Sequence, residues 1–382
     1  RSMSAACAEA RPDGYTIEGQ WCMNRRTKTI NFTETLDQLR ADAPITADAI
    51  YSLSDLMDDN WADFQLVWPN LPAERRRHVI DRLVDTAETN FELDFGPIVH
   101  LALADPDLEV RLRAIEGVLE ESDLPTVRRL LTLAQEDTFS EVRAAAVKAL
   151  GVFVLQGELG KLPERFSQEL QEAILEMYNN LSEDLDVRRR ALEAIANCGH
   201  GSVPELIREA YYADDLLMRV SAVFAMGRSC DERWQPQVLE ELASEYPELR
   251  YEAARAAGEL ELSKALPQLI ELAYEGDREI QEVSIWAMGE IGGQLAQRAL
   301  DQLASQAEQI GDDALIEAIQ DAQAAATLAG EGMLPLFDFG NLEDQELDDL
   351  TPVDLDDLNR NGYDEDYEVD EFEFDDDYDD YN

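Results

Sequence analysis

The sequence predicts an all-α solenoid, a stack of helix pairs preceded by a helical segment and followed by an acidic, disordered tail. Three observations predict it. A motif of one basic and several small residues returns at intervals of about 31. Each copy is followed by an amphipathic stretch with Leu and Ile at three- and four-residue spacing. The composition then changes abruptly near Met333.

The motif is clearest in Arg143 to Gly151, where Ala146 and Ala149 lie three and six places after the arginine, followed by Leu150 and Gly151. Arg219 leads in the same way to Ala222, Ala225, Met226 and Gly227, and Arg250 to Ala253, Ala256, Ala257 and Gly258. Gln281 leads to Ser284, Ala287, Met288 and Gly289, while Arg188 and Arg111 begin looser copies. Origins at 111, 143, 188, 219, 250 and 281 are one repeat apart except for an insertion near 155–168, expected to lengthen a turn. A seventh, degenerate unit is expected at about 311–328 as a cap.

Small residues at the third and sixth places share one helical stripe and let neighbouring helices approach closely. Glycine at the eighth place suits the left-handed residue that ends a helix. Second helices are expected over Leu124–Gln135, Arg165–Tyr178, Val203–Tyr212, Gln235–Ala243, Leu266–Tyr274 and Leu295–Ala307. One helix pair cannot cover its own apolar face, so stacked pairs share a core, in which each fully buried Leu contributes roughly 1.5–3 kcal/mol.

Asp137, Glu141-Val142-Arg143 and the run Ala146 to Gly151, with Asp105 and Glu109-Val110-Arg111, resemble the short HEAT-like repeat also found in phycobilisome lyases. The resemblance covers about 94–330 and implies a right-handed solenoid of six to seven helix pairs. It also implies a ladder of Asp–Arg hydrogen bonds between repeats and second helices along the concave wall. Asp lies six places before Arg111 and Arg143, but Ser182, Ala213 and Ser244 hold that place later. Asp184 and Asp215 are the expected substitutes.

Before the repeats, 1–22 lacks periodicity and reads as an upstream extension, with Met23 as a natural start; 23–93 reads as helical. Trp61, Phe64 and Trp68 form a helical stripe expected to pack on the first repeat. Arg75-Arg76-Arg77-His78 is the one dense basic cluster, either a solvated helix face or a dock for phosphate or for the tail. Residues 331–382 form the last region. From 338 onward there are 21 Asp or Glu and one basic residue, Arg360, a run that repels itself and should be disordered. Its aromatics, Phe372, Phe374 and Tyr378 among them, point to partner binding rather than solubility alone.

The formal net charge of -52 disfavours nucleic acid and anionic membrane surfaces and favours proteins with basic surfaces. No apolar run is long enough to span a bilayer, and neither a secretion signal nor a cysteine framework is evident, so a reducing cytoplasm is expected. His78, His100 and His200 do not form the repeated His-Glu pairs of di-iron HEAT hydroxylases. Zinc spacing, a calcium-binding loop, a P-loop and a serine-nucleophile motif are lacking. Cys198 and Cys230, ten and eleven places after their origins, read as turn cysteines. No cofactor and no enzyme activity are expected.

The expected function is a protein-interaction scaffold. Arg208, Glu209, Tyr211, Tyr212, Glu240, Glu241, Gln268, Glu271 and Tyr274 on the second helices are the candidate wall residues, and the tail supplies Phe372, Phe374 and Tyr378. Two other readings stay open. The resemblance implies a lyase-like or chaperone-like factor for a pigment-binding protein; the tail alone could mimic nucleic acid on a basic protein.

Overall fold

The computed structural model describes residues 31–41, 43–90, 92–118 and 123–330, without the side chains of 328–330. The expectations for 1–22 and for the tail, Phe372, Phe374 and Tyr378 included, lie outside the described residues. The described residues form one compact unit.

The N-terminal helices are α1 (Phe32–Arg40), α2 (Ala47–Tyr51) and α3 (Asp58–Val67). A long α4 (Ala73–Thr89) and a short α5 (Gly96–Ala102) follow. Then first and second helices alternate: α6 (Leu108–Glu116) and α7 (Leu124–Glu136), α8 (Ser140–Glu158) and α9 (Glu164–Asn179), α10 (Leu185–Ile195) and α11 (Val203–Tyr211). The series continues as α12 (Leu216–Arg228) and α13 (Gln235–Glu241), α14 (Pro247–Glu259) and α15 (Leu266–Leu272), α16 (Arg278–Ile291) and α17 (Gly293–Ile310). A single helix, α18 (Asp313–Gly330), ends the stack. All six expected second helices are present. The insertion does more than lengthen a turn: it extends α8 past Gly151 to Glu158 and supplies the start of α9, and only 159–163 form the turn at Gly160, whose φ is +70°.

First helices pack directly on one another along the stack, α8 on α10, α12 on α14, α14 on α16 and α16 on α18, whereas neighbouring second helices touch sparsely. The small-residue motif explains the tight row. A Cβ on Gly227 would lie 2.8 Å from the Cα of Ala256, one on Gly258 2.9 Å from that of Ala287, and one on Gly289 2.9 Å from that of Ala322. These glycines sit inside helices and have ordinary φ. The expectation that they end helices is therefore corrected: the eighth place is empty so that the next helix's alanine can seat there. The same contact puts α18 in register, with its origin at Ile316.

Several first helices begin with a capping aspartate four places before the origin. Asp107 accepts from the Val110 N–H at 3.2 Å, Asp215 from Met218 at 3.0 Å and Asp277 from Ile280 at 3.4 Å, while Asp184 accepts from Asp186 at 2.9 Å. Asp184 and Asp215 thus cap helices and take no part in the ladder, contrary to expectation.

The ladder itself starts earlier and uses other acceptors. Arg76, in α4, is bidentate to Asp105 at 2.7 and 3.0 Å, with both side chains buried. Arg111 repeats this with Asp137 at 2.8 and 3.0 Å. Glutamates then replace aspartate: Arg143 meets Glu183 at 2.6 Å, Arg219 meets Glu241 at 3.1 Å, and Arg250 pairs with Glu275. Arg188 breaks the series, donating to the Tyr178 carbonyl at 2.9 Å with its guanidinium beside the Tyr178 ring. Near the end, Arg278 reaches Asp312 at 2.7 Å. A second donor on Arg111, Arg143 and Arg250 reaches the main-chain carbonyl six places back, Asp105, Asp137 and Ser244 respectively, each at 2.8 Å.

The basic cluster is consumed by the same architecture. Arg75 caps the end of α1 through the carbonyls of Gln38 and Leu39, Arg76 is the first rung, and Arg77 is bidentate to Asp107. None of the three is left free as a dock. Phe64 and Trp68 are buried, with stacked rings 5.6 Å apart, and the Trp68 indole N–H donates to Asp105 at 3.0 Å.

Candidate interaction groove

An open concavity lies on the tight row. Tyr251, Arg255 and Glu259 of α14 share one helical stripe and face Glu279, Glu282, Val283 and Trp286 of α16 across a groove of about 590 Å³. Its floor follows from the repeat. Glycine at 258 leaves room for the Trp286 ring, whose Cζ3 would be 2.8 Å from a Cβ there.

Polar chemistry along this row is dense. Arg255 stands 4.1 Å over the Phe224 ring centroid, donates to the Phe224 carbonyl at 3.2 Å and to Glu252 at 2.7 Å, and pairs with Glu259. Burial holds the Glu252 carboxyl above the ordinary range despite Arg255. Arg228 reaches Glu259 at 3.4 Å, and the second Glu259 oxygen is buried without a partner. Residues at equal register on adjacent first helices therefore touch: Phe224 and Arg255 both lie five places after their origins, Arg228 and Glu259 both nine.

Residues 235–324 match the family model described as HEAT repeats. That stretch carries HEAT repeats. No curated protein matches it. Among solved structures it is similar to YibA of E. coli at 16% identity, with 77% of this chain and 96% of that one covered and a TM-score of 0.38. The CpcE–CpcF complex of phycocyanin lyase from Nostoc sp. PCC7120 overlaps at 14% identity, 60% and 94% coverage and a TM-score of 0.41. Kap95p in complex with RanGDP overlaps at 14%, 80% and 46%, with a TM-score of 0.44. These overlaps are loose.

Within the HEAT stack, the wall residues expected on the second helices are scattered. Tyr211 and Glu241 are buried and bonded to each other at 2.9 Å, so they brace the Arg219 rung instead of facing solvent. Burial and the Glu241 carboxylate push the Tyr211 hydroxyl pKa far up. Glu209, Glu240 and Glu271 are exposed, Gln268 is half-buried, and Arg208 is paired with its neighbour Glu205 at 2.7 Å. The Tyr212 and Tyr274 rings are exposed on different repeats. None of these residues lines the groove.

The candidate chemistry elsewhere is structural. Cys198 is buried and faces Glu158, and burial pushes its thiol up to about 11, which leaves little thiolate at neutral pH. Cys230 is exposed in a turn at φ 51°. His100 shares a hydrogen bond with Thr126 and His200 one with Ser202. Among the described residues, no three His, Cys, Asp or Glu side chains converge on a point that could hold a metal ion, and no helix is long and apolar enough to cross a membrane.

The groove escaped the sequence reading, although a signal for it existed. Phe224, Arg255 and Trp286 recur at the 31-residue interval, an aromatic–cation–aromatic column in one register place.

Proposed function

We propose that this protein is a non-enzymatic scaffold that binds segments of partner proteins along its HEAT stack, while the acidic aromatic tail recruits partners with basic surfaces. The observation that carries the reading is the stack itself. Its arginines are spent on holding one repeat to the next, whereas aromatic and acidic side chains are left over along the tight row. A device built to join repeats into a continuous surface suits recognition of extended chains. The 21 carboxylates from 338 onward add a field that attracts basic proteins. The free thiols at Cys198 and Cys230 suit a cytoplasmic setting.

Affinity capture tests the proposal, with the full chain and a chain ended at Gly330 as paired baits washed at low and high salt. Partners kept by both baits in high salt place recognition on the stack. Partners lost with the tail or in salt place it on the tail. If neither bait retains a partner reproducibly, the scaffold reading fails.

A further inference from the structure

Around Trp286 the tight row changes character. Trp286 sits five places after its origin, the place that Phe224 holds two repeats earlier. Phe224 carries the guanidinium of Arg255, which occupies that same place on the following helix. For Trp286 the following helix is α18, where the equivalent residue is Asp321, so the ring has no cation of its own. It is 39% exposed, and its indole N–H has no partner among the described residues. Glu282 and Glu290, one turn before and after Trp286, lie on the same helix face. Glu290 and Asp321 are exposed and form no ion pair among the described residues; Glu282 pairs with Arg278.

Earlier repeats differ. In α14 the ring-bearing row is neutralised from within, since Arg255 answers Glu252 and Glu259. At α16 and α18 Arg278 answers Glu282, but among the described residues no cation answers Glu290 or Asp321. The geometry points to a binding site for an arginine side chain, presented by an extended segment of a partner protein, over the open face of Trp286 and between the carboxylates of Glu290 and Asp321. The incoming guanidinium reproduces the Phe224–Arg255 stack two repeats further along the row. Tyr251 and Glu279 in the adjoining groove receive the flanking residues of the segment. Arginine suits the place better than lysine, because a planar guanidinium stacks on an indole while its edge bonds carboxylates. This assignment rests on the scaffold reading and names its site.

The test uses the full chain and a fluorescein-labelled nonapeptide of three Arg-Gly-Ser triplets, in about 0.3 M salt to screen the general acidic field. Binding should shift the indole N–H resonance of Trp286, identified by its loss in Trp286→Phe. Glu290→Gln with Asp321→Asn should weaken binding about tenfold. A control of equal charge change, Glu172→Gln with Glu176→Gln on α9, should change it less than about twofold. A lysine version of the peptide should bind several-fold more weakly. Equal loss in both double variants, or an unmoved Trp286 resonance, would overturn the assignment. If those results appear while partners still remain on the chain ended at Gly330, the groove assignment fails and the scaffold reading stands.

Discussion

Arg111 and Asp137 are each less than a tenth exposed and share two hydrogen bonds, so each supplies the opposite charge that offsets the other's desolvation. Arg111→Ala should cost about 3–5 kcal/mol in urea unfolding, whereas Arg111→Met with Asp137→Leu should recover most of the loss. A double variant as unstable as the single one would show that the pair contributes net stability. Asp107 offers a pH test. Its hydrogen bond with Arg77 lowers its carboxyl to about 2, below an unfolded value of about 3.9. Its contribution is therefore complete above pH ~4 and is lost as the pH falls through about 2. Asp107→Asn should lower stability at pH 7 and flatten the acid limb of the stability curve between those values. At this scale the sequence was partly legible. Asp105 and Asp137 could be read as rungs because their spacing to the arginine is constant. Glu183 and Glu241 could not, because they lie at other spacings from the next origin, and Glu275 holds the sixth place but ahead of Gln281, where no arginine marks it. Arg75, Arg76 and Arg77 looked like a basic patch because their partners lie 29 to 37 residues away.

For the elements, the motif announced which helices exist but concealed why glycine is needed in the first helices. Gly227 lies inside α12 with the Ala256 Cα against it, so a methyl group there must push two helices apart. Gly227→Ala should destabilise the protein by about 1–3 kcal/mol, even though alanine is the better helix former by about 1 kcal/mol. A stabilised variant would return the glycine to the role of a helix terminator. The interval of 31 located every second helix, because their apolar spacing is local. It did not reveal the groove, which needs side chains of two repeats to be seen together. Nor did it reveal that α8 absorbs part of the insertion, since Ala144 to Leu155 continues the helical pattern without a break.

Taken as a whole, the described unit is held by contacts between neighbours, so disturbance should stay near its source. Leu315, Ile319, Ala322 and Ala326 are the buried face of α18, which closes the stack on α16 and α17. Ile319→Asp should raise amide exchange through α16, α17 and α18 while leaving α4 to α8 at native rates. Uniform acceleration over the whole unit would mean that the stack unfolds as a single block.

The main-chain half of the Arg111, Arg143 and Arg250 rungs has a consequence for how such a chain ages. Arg250 bonds the carbonyl of Ser244 at the same 2.8 Å at which Arg143 bonds that of Asp137, although the two side chains share nothing. An oxygen of the backbone keeps its address whichever residue carries it. A change at that place therefore spares this bond, even where, as at Asp137, it removes the carboxylate that the preceding arginine needs, and the letters of the repeat can wear away before the stack they spell out.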